Sequence, residues 1–184
     1  MSKIYDSYVK SYVLTEDNAA DFFEVVGDIY STPEFQCTDK FIQHADITLM
    51  QHMMSVAYLS YLDTKARNMN YISATRAAMM HDLVYYDWHE PGDGTHRLHG
   101  YRHPGFAVKN ARNLVGLSPL EENIIRRHMW PLTPILPKYK ESWAVCLADK
   151  YCAVHEILIK KIPSYRKKFR EDVKNAEKKY GGVK

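Results

Sequence analysis

The chain has 184 residues, 46% of them apolar, and a formal net charge of +3. That is enough chain for one domain with a sizeable core, and it is too apolar for a disordered protein. Glycine and proline number only eight each, which argues against a turn-rich β architecture and for helices.

From the N-terminus, Met1 to Leu14 has no apolar core and no small-residue cleavage site of the kind a signal peptide carries. A first helix is expected over 16–30, with Thr15 as its cap and Ala19, Phe22, Phe23, Val26 and Ile29 on one face. Ser31-Thr32-Pro33 stops it. A second helix, from about Thr48 to Arg67, carries Met50, Met53, Met54, Ala57, Tyr58, Tyr61 and Leu62. A third follows Asn70 through Ala74, Ala77, Ala78 and Met80 to about Val84.

Asp87 to Tyr101 is polar and Gly-rich and is expected to be a loop, long enough to suggest function. Helix resumes at Pro104 and runs to about Leu114. Ser118-Pro119-Leu120-Glu121 then combines an N-cap, a first-turn proline and a capping-box glutamate. The helix it opens ends before Pro131, and Pro131, Pro134 and Pro137 make a rigid connector. A long helix covers about Lys140 to Ile159, and a charged one runs over 164–180. The whole reads as an all-α, single compact multi-helix bundle occupying 1–184, with no convincing strand and no internal repeat.

No run of about 18 uninterrupted apolar residues occurs, so no membrane partner is expected. Cys37, Cys146 and Cys152 form neither a CxxC pair nor an even framework and read as reduced thiols of a cytoplasmic protein. From Lys160 to Lys184 there are ten Lys or Arg against three Asp or Glu. Such an end can bind nucleic acid, but a solvated helix face is the commoner outcome.

Polar residues set in apolar helices carry the functional signal. Asp149 follows Trp143-Ala144-Val145-Cys146-Leu147-Ala148, where an ionised carboxylate has little access to bulk water. Buried carboxylates need a cation, a metal or a proton. His81-Asp82 poses the same problem between Ala77-Ala78-Met79-Met80 and Leu83-Val84, and His52 precedes Met53-Met54. Taken singly, each has an ordinary alternative: a core histidine with a hydrogen bond, or Asp149 paired with Arg126 or Arg127. Taken together, inward imidazoles and carboxylates from several helices are how bundles build metal sites. Mixed nitrogen and oxygen ligands suit Zn, Mn, Fe or Co better than Ca or Mg.

The order His52, His81-Asp82, Asp149 resembles the HD-domain phosphohydrolase superfamily over roughly 42–156. Two further histidines, in His103-Pro104-Gly105-Phe106-Ala107 and Ile124-Ile125-Arg126-Arg127-His128, fall where the His-rich branch has them. Tyr86-Asp87-Trp88-His89 and His128-Met129-Trp130-Pro131-Leu132 look like a small group of uncharacterised bacterial HD proteins. The resemblance implies one or two divalent transition-metal ions. His52, His81 and Asp149 would surround one, His103 and His128 the other, and Asp82 would bridge them and orient the attacking water. It implies hydrolysis of a nucleotide-like or other small phosphate ester. The alternatives are a di-iron oxygen-activating enzyme or a non-catalytic ligand-binding module, and a homo-oligomer stays open.

Arg102, Arg127 and Lys150, each beside an expected ligand, are candidates for gripping phosphate, with plain surface charge as the alternative. Asp87 and His99 would protonate a leaving group or support the loop, and Tyr85, Tyr86, Trp88 and Trp130 would stack on a base or simply pack. Many HD relatives have a lysine three residues after the aspartate; Tyr85 stands there instead. His44 is an alternative first ligand, but Asp46 and Thr48 look like a helix entry, which favours His52.

Overall fold

The computed structural model describes residues 2–44, 46–87 and 98–181. Among these, nine α-helices make an all-α bundle: α1 Lys3–Lys10, α2 Ala20–Tyr30, α3 Pro33–Gln36, α4 Leu49–Ala66, α5 Tyr71–Met79, α6 His99–Val115, α7 Pro119–Arg127, α8 Lys140–Lys161 and α9 Pro163–Tyr180. No helix is long and apolar enough to cross a membrane.

The strongest local signals held. Ser118 accepts from the Glu121 N–H while Glu121 reaches back to the Ser118 N–H, so α7 opens on the expected capping box. Thr48 caps α4 through the Gln51 N–H, and Asn70 caps α5 through the Ser73 N–H.

The N-terminal helix differs from its expected span. Thr15 and Asn18 exchange side-chain and backbone hydrogen bonds, and the Asn18 amide also donates to the Val13 carbonyl. These bonds close a single turn that competes with helix, so α2 starts only at Ala20. The unexpected α1 is capped by Ser2 and buries Tyr5, Tyr8 and Val9, three and four residues apart. The third helix also stops short of Val84. It ends at Met79, leaving His81 and Asp82 in the turn that follows, where the His81 ring takes the Ala78 carbonyl. A small antiparallel pair, β1 Ile42–His44 and β2 Ile47–Thr48, leads into α4.

The sixth helix begins at His99, five residues before its expected start, with Pro104 inside it. A Cβ at Gly100 would lie 2.8 Å from Leu132 Cδ2, so the proline-rich connector packs closely on the start of α6, at the far end of a flexible leucine. Gly116 ends α6 at a φ of +71°, in the region that favours glycine. The rest of the long loop expected before Tyr101 falls mostly outside the described residues.

The fourth helix is the axis of the bundle. It packs against α5 on one side and α8 on another, while α7 closes over α5, α6 and α8. Twelve of its residues are buried, among them His52, Met53, Val56, Ala57 and Tyr58. The outer elements are tied on by named polar contacts. Arg76 of α5 grips both oxygens of Asp28 on α2 at 2.6 and 2.8 Å, and the Tyr5 hydroxyl of α1 donates to Asp172 of α9 at 2.8 Å. The core under α2 is apolar and dry, with Phe22, Val26 and Ile29 buried. Removing a buried isoleucine side chain costs about 2–5 kcal/mol in lost transfer energy plus cavity. Ile29→Ala is therefore expected to lower the unfolding free energy measured by chemical denaturation by that amount, with the m-value unchanged.

Candidate metal centre

Five separate stretches of chain deliver side chains to one buried point. His52 stands in the first turn of α4, His81 and Asp82 in the turn after α5, His103 in the second turn of α6, His128 at the end of α7 and Asp149 midway along α8. All six are buried, none more than 6% exposed. The six expected ligands, His52 among them, are thus brought together.

Asp82 sits between two sets of imidazoles. Its Oδ1 lies 3.0 Å from His103 Nε2 and 3.2 Å from His128 Nε2. Its Oδ2 lies 3.6 Å from His81 Nε2 and 3.9 Å from His52 Nε2. Asp149 Oδ1 closes the second set, 3.4 Å from His52 Nε2 and 3.9 Å from His81 Nε2. The Gln43 amide donates to Asp82 Oδ2 at 2.9 Å and holds the carboxylate in this orientation.

The far side of each ring determines what its near side can do. His81 Nδ1 donates to the Ala78 carbonyl, His103 Nδ1 to the His99 carbonyl and His128 Nδ1 to the Ile125 carbonyl, all at 2.7–2.8 Å. A carbonyl can only accept, so these Nδ1 atoms carry the proton and a neutral ring turns its Nε2 lone pair inward. His52 Nδ1 meets Glu156 Oε1 at 2.8 Å. As a result His103 Nε2 and His128 Nε2 face each other at 2.9 Å, and His81 Nε2, fully buried, has no hydrogen-bond partner among the described residues. Lone pairs converging on a carboxylate in a dry interior need positive charge between them.

The electrostatics agree. Burial, reinforced by His128 and His52, lowers the His81 pKa to about 4, so this ring is neutral near pH 7. Burial also disfavours the charged forms of His52 and His103, but carboxylates outweigh it and hold both pKa values above the ordinary histidine range. They are Glu156 and Asp149 beside His52, and Asp82 beside His103. Asp82 and Asp149 are held below the ordinary carboxylate range, against burial, by the surrounding imidazoles and, at Asp149, by Lys150.

Two triads, His52–His81–Asp149 and His81–Asp82–His128, each bring their ligand atoms within 4.8 Å of one another and could hold a metal ion. The donor set of imidazole nitrogens and carboxylate oxygens fits a divalent transition metal.

The other expected site residues divide. Lys150 Nζ donates to Asp149 Oδ2 at 2.7 Å and to the His128 carbonyl at 3.0 Å, so its ammonium is directed to the ligands themselves. Arg127 is half-buried beside His128 and makes no hydrogen bond or ion pair among the described residues. Arg126 pairs with Glu122. Arg102 is exposed, its guanidinium 5.4 Å from the centre of the Phe106 ring. His99 stacks on His103 at 4.5 Å and its Nδ1 meets the Tyr86 hydroxyl at 3.1 Å, an arrangement that braces His103. Asp87 is half-buried at the edge of the described stretch, and Trp88 and His89 lie outside it. Tyr85 turns away from the centre to line a small cavity with Glu34, Asn110, Asn113 and Leu114. Trp130 packs edge-on against Trp143, with ring centres 4.9 Å apart.

Glu156 and Gln43 escaped the sequence reading. Glu156 had a signal: it lies seven residues after Asp149, two turns along the same helix face. Gln43 had none, because its contact spans 39 residues and depends on the small hairpin.

No protein-family model, no curated protein and no solved structure matches the chain.

Because the pKa values of His52 and His103 are raised above the ordinary histidine range, a metal ion binding there would compete with protons. Affinity is therefore expected to rise with pH through and above the ordinary histidine range, by about tenfold per unit for each proton released. Isothermal titration in two buffers of different ionisation enthalpy measures this release directly. Identical heats in both buffers would contradict it.

Proposed function

We propose that the chain is a metal-dependent phosphohydrolase of the HD type, acting on a nucleotide-like or other small phosphate ester. The observation that carries this reading is the placement of Asp82, one oxygen toward His103 and His128 and the other toward His52 and His81. That placement suits a carboxylate shared between two ions, with His52, His81 and Asp149 on one side and His103 and His128 on the other.

A divalent ion in such a site supplies a water of lowered pKa and a Lewis acid for a phosphoryl oxygen. The chain's own residues do the remainder. Asp82 is a carboxylate held ionised, which would orient the attacking water as well as ligate, its lowered pKa making it a weak proton acceptor. Gln43 and Lys150 keep the two ligand carboxylates fixed, through Asp82 Oδ2 and Asp149 Oδ2. Arg127, beside His128 and without another anion, is the better candidate to meet a phosphate oxygen. Arg102 is the second. Lys150, already committed to Asp149, contributes charge to the centre more than it contacts substrate. His99 serves His103 through ring stacking and its carbonyl.

The test pairs metal analysis with activity. Protein purified without chelator is expected to hold one or two equivalents of Mn, Fe, Zn or Co and to release phosphate from a panel of nucleotides and small phosphomonoesters and diesters. Asp82→Ala is expected to lose metal and to fall to background. Arg127→Ala is expected to raise KM several-fold with kcat less affected, the mark of lost ground-state binding. Metal-replete parent protein inactive on the whole panel would overturn the hydrolase reading; bound iron with oxygen consumption would replace it with oxygen chemistry.

A further inference from the structure

We propose that Glu156 is a positioning residue whose carboxylate sets the donor strength of His52, making the His52–His81–Asp149 side of the centre the tighter metal site. This rests on the metal-binding reading above and goes beyond it in ranking the two sides.

The four imidazoles are not backed alike. His81, His103 and His128 each donate through Nδ1 to a backbone carbonyl three or four residues earlier in the chain. His52 alone among them reaches a carboxylate, Glu156 Oε1 at 2.8 Å, across a sequence separation of 104 residues. Glu156 is fully buried, and its second oxygen, Oε2, has no hydrogen-bond partner among the described residues. A buried carboxylate held by a single hydrogen bond is a poor way to stabilise a fold, because burial penalises the charge and one contact repays little of it. Its place in the structure is better explained by what it does to His52.

A carboxylate behind a ligating histidine pins the ring's tautomer and orientation and makes Nε2 a stronger donor than a neutral carbonyl does. Asp149 and Glu156 stand two turns apart on the same face of α8. One rigid helix therefore presents both a ligand and the group that orients a second ligand on α4. The side of the centre containing His52 accordingly carries Asp149 plus the charge of Glu156 behind it. Among the described residues, the His103–His128 side has the shared Asp82 and backbone carbonyls.

The experiment is a Zn²⁺ titration of the full chain, in competition with a chromogenic chelator, for the parent, Glu156→Gln and Glu156→Asp. Glutamine can still accept from Nδ1 but lacks the charge; aspartate keeps the charge but is one methylene too short. Both variants are expected to weaken the tightest Zn²⁺ site by about 10–100-fold, to leave any weaker site within twofold, and to keep the metal-free melting temperature within a few degrees. Nitrogen NMR of the Zn²⁺-loaded parent should find the His52 proton on Nδ1, and in Glu156→Gln that proton should shift upfield. An unchanged tightest site in folded Glu156→Gln overturns the proposal, as does a His52 ring protonated on Nε2 in the loaded parent. If Glu156→Gln does not fold, the aspartate variant and the parent's NMR signal decide. Parent protein that takes up no Zn²⁺ overturns the metal reading and this one together, whereas parent binding with indifferent variants overturns this one alone.

Discussion

The structure is organised around two ionised carboxylates, Asp82 and Asp149, set among four buried imidazoles. Taking such charge out of water is costly, and it is tolerated only where opposite charge and hydrogen bonds meet it on every side. Five stretches of the bundle contribute to meeting it. The fourth helix brings His52, the turn after α5 brings His81, α6 and α7 bring His103 and His128, and α8 brings Asp149 with Lys150 alongside. The carboxylates in turn hold the pKa values of His52 and His103 above the ordinary histidine range. A dication is the group for which the inward lone pairs are better suited.

The backbone takes part in this arrangement as directly as the side chains. His81, His103 and His128 sit near helix ends, and each uses a nearby carbonyl to fix its tautomer: Ala78 in the last turn of α5, His99 at the start of α6, Ile125 near the end of α7. The last turn of a helix leaves carbonyls short of partners, so those of Ala78 and Ile125 are natural acceptors for an Nδ1 proton. This gives a physical reason for the early end of α5. Continuing the helix to Val84 would carry His81 and Asp82 around the helix axis and break the convergence on His128 and His103.

The outer shell follows the same logic with longer reach. Gln43 from the hairpin orients Asp82, Glu156 backs His52, and Tyr86 with His99 braces His103. None of these is an expected ligand, yet each holds an atom that is. The cation beside Asp149 that the sequence offered as Arg126 or Arg127 is instead Lys150, its chain neighbour, because Arg126 is taken by Glu122.

By itself the sequence determined the all-α class, the helix starts near Thr48 and Asn70 and the cap at Ser118. It singled out His52, His81, Asp82 and Asp149, while His103 and His128 came with the resemblance. Those signals are local: a periodic apolar face, a cap three residues from its partner, a charged residue stranded in an apolar run. It misjudged the start of α2 and α6 and the end of α5, and it did not find α1. At α2 and α5 a side-chain turn and a histidine–carbonyl bond override periodicity. Only the tertiary structure decided that Asp82 faces both sets of histidines, that Lys150 and not an arginine holds Asp149, and that Glu156 stands behind His52. Those contacts join residues tens of positions apart, or depend on which way one side chain turns, and no spacing along the chain encodes either.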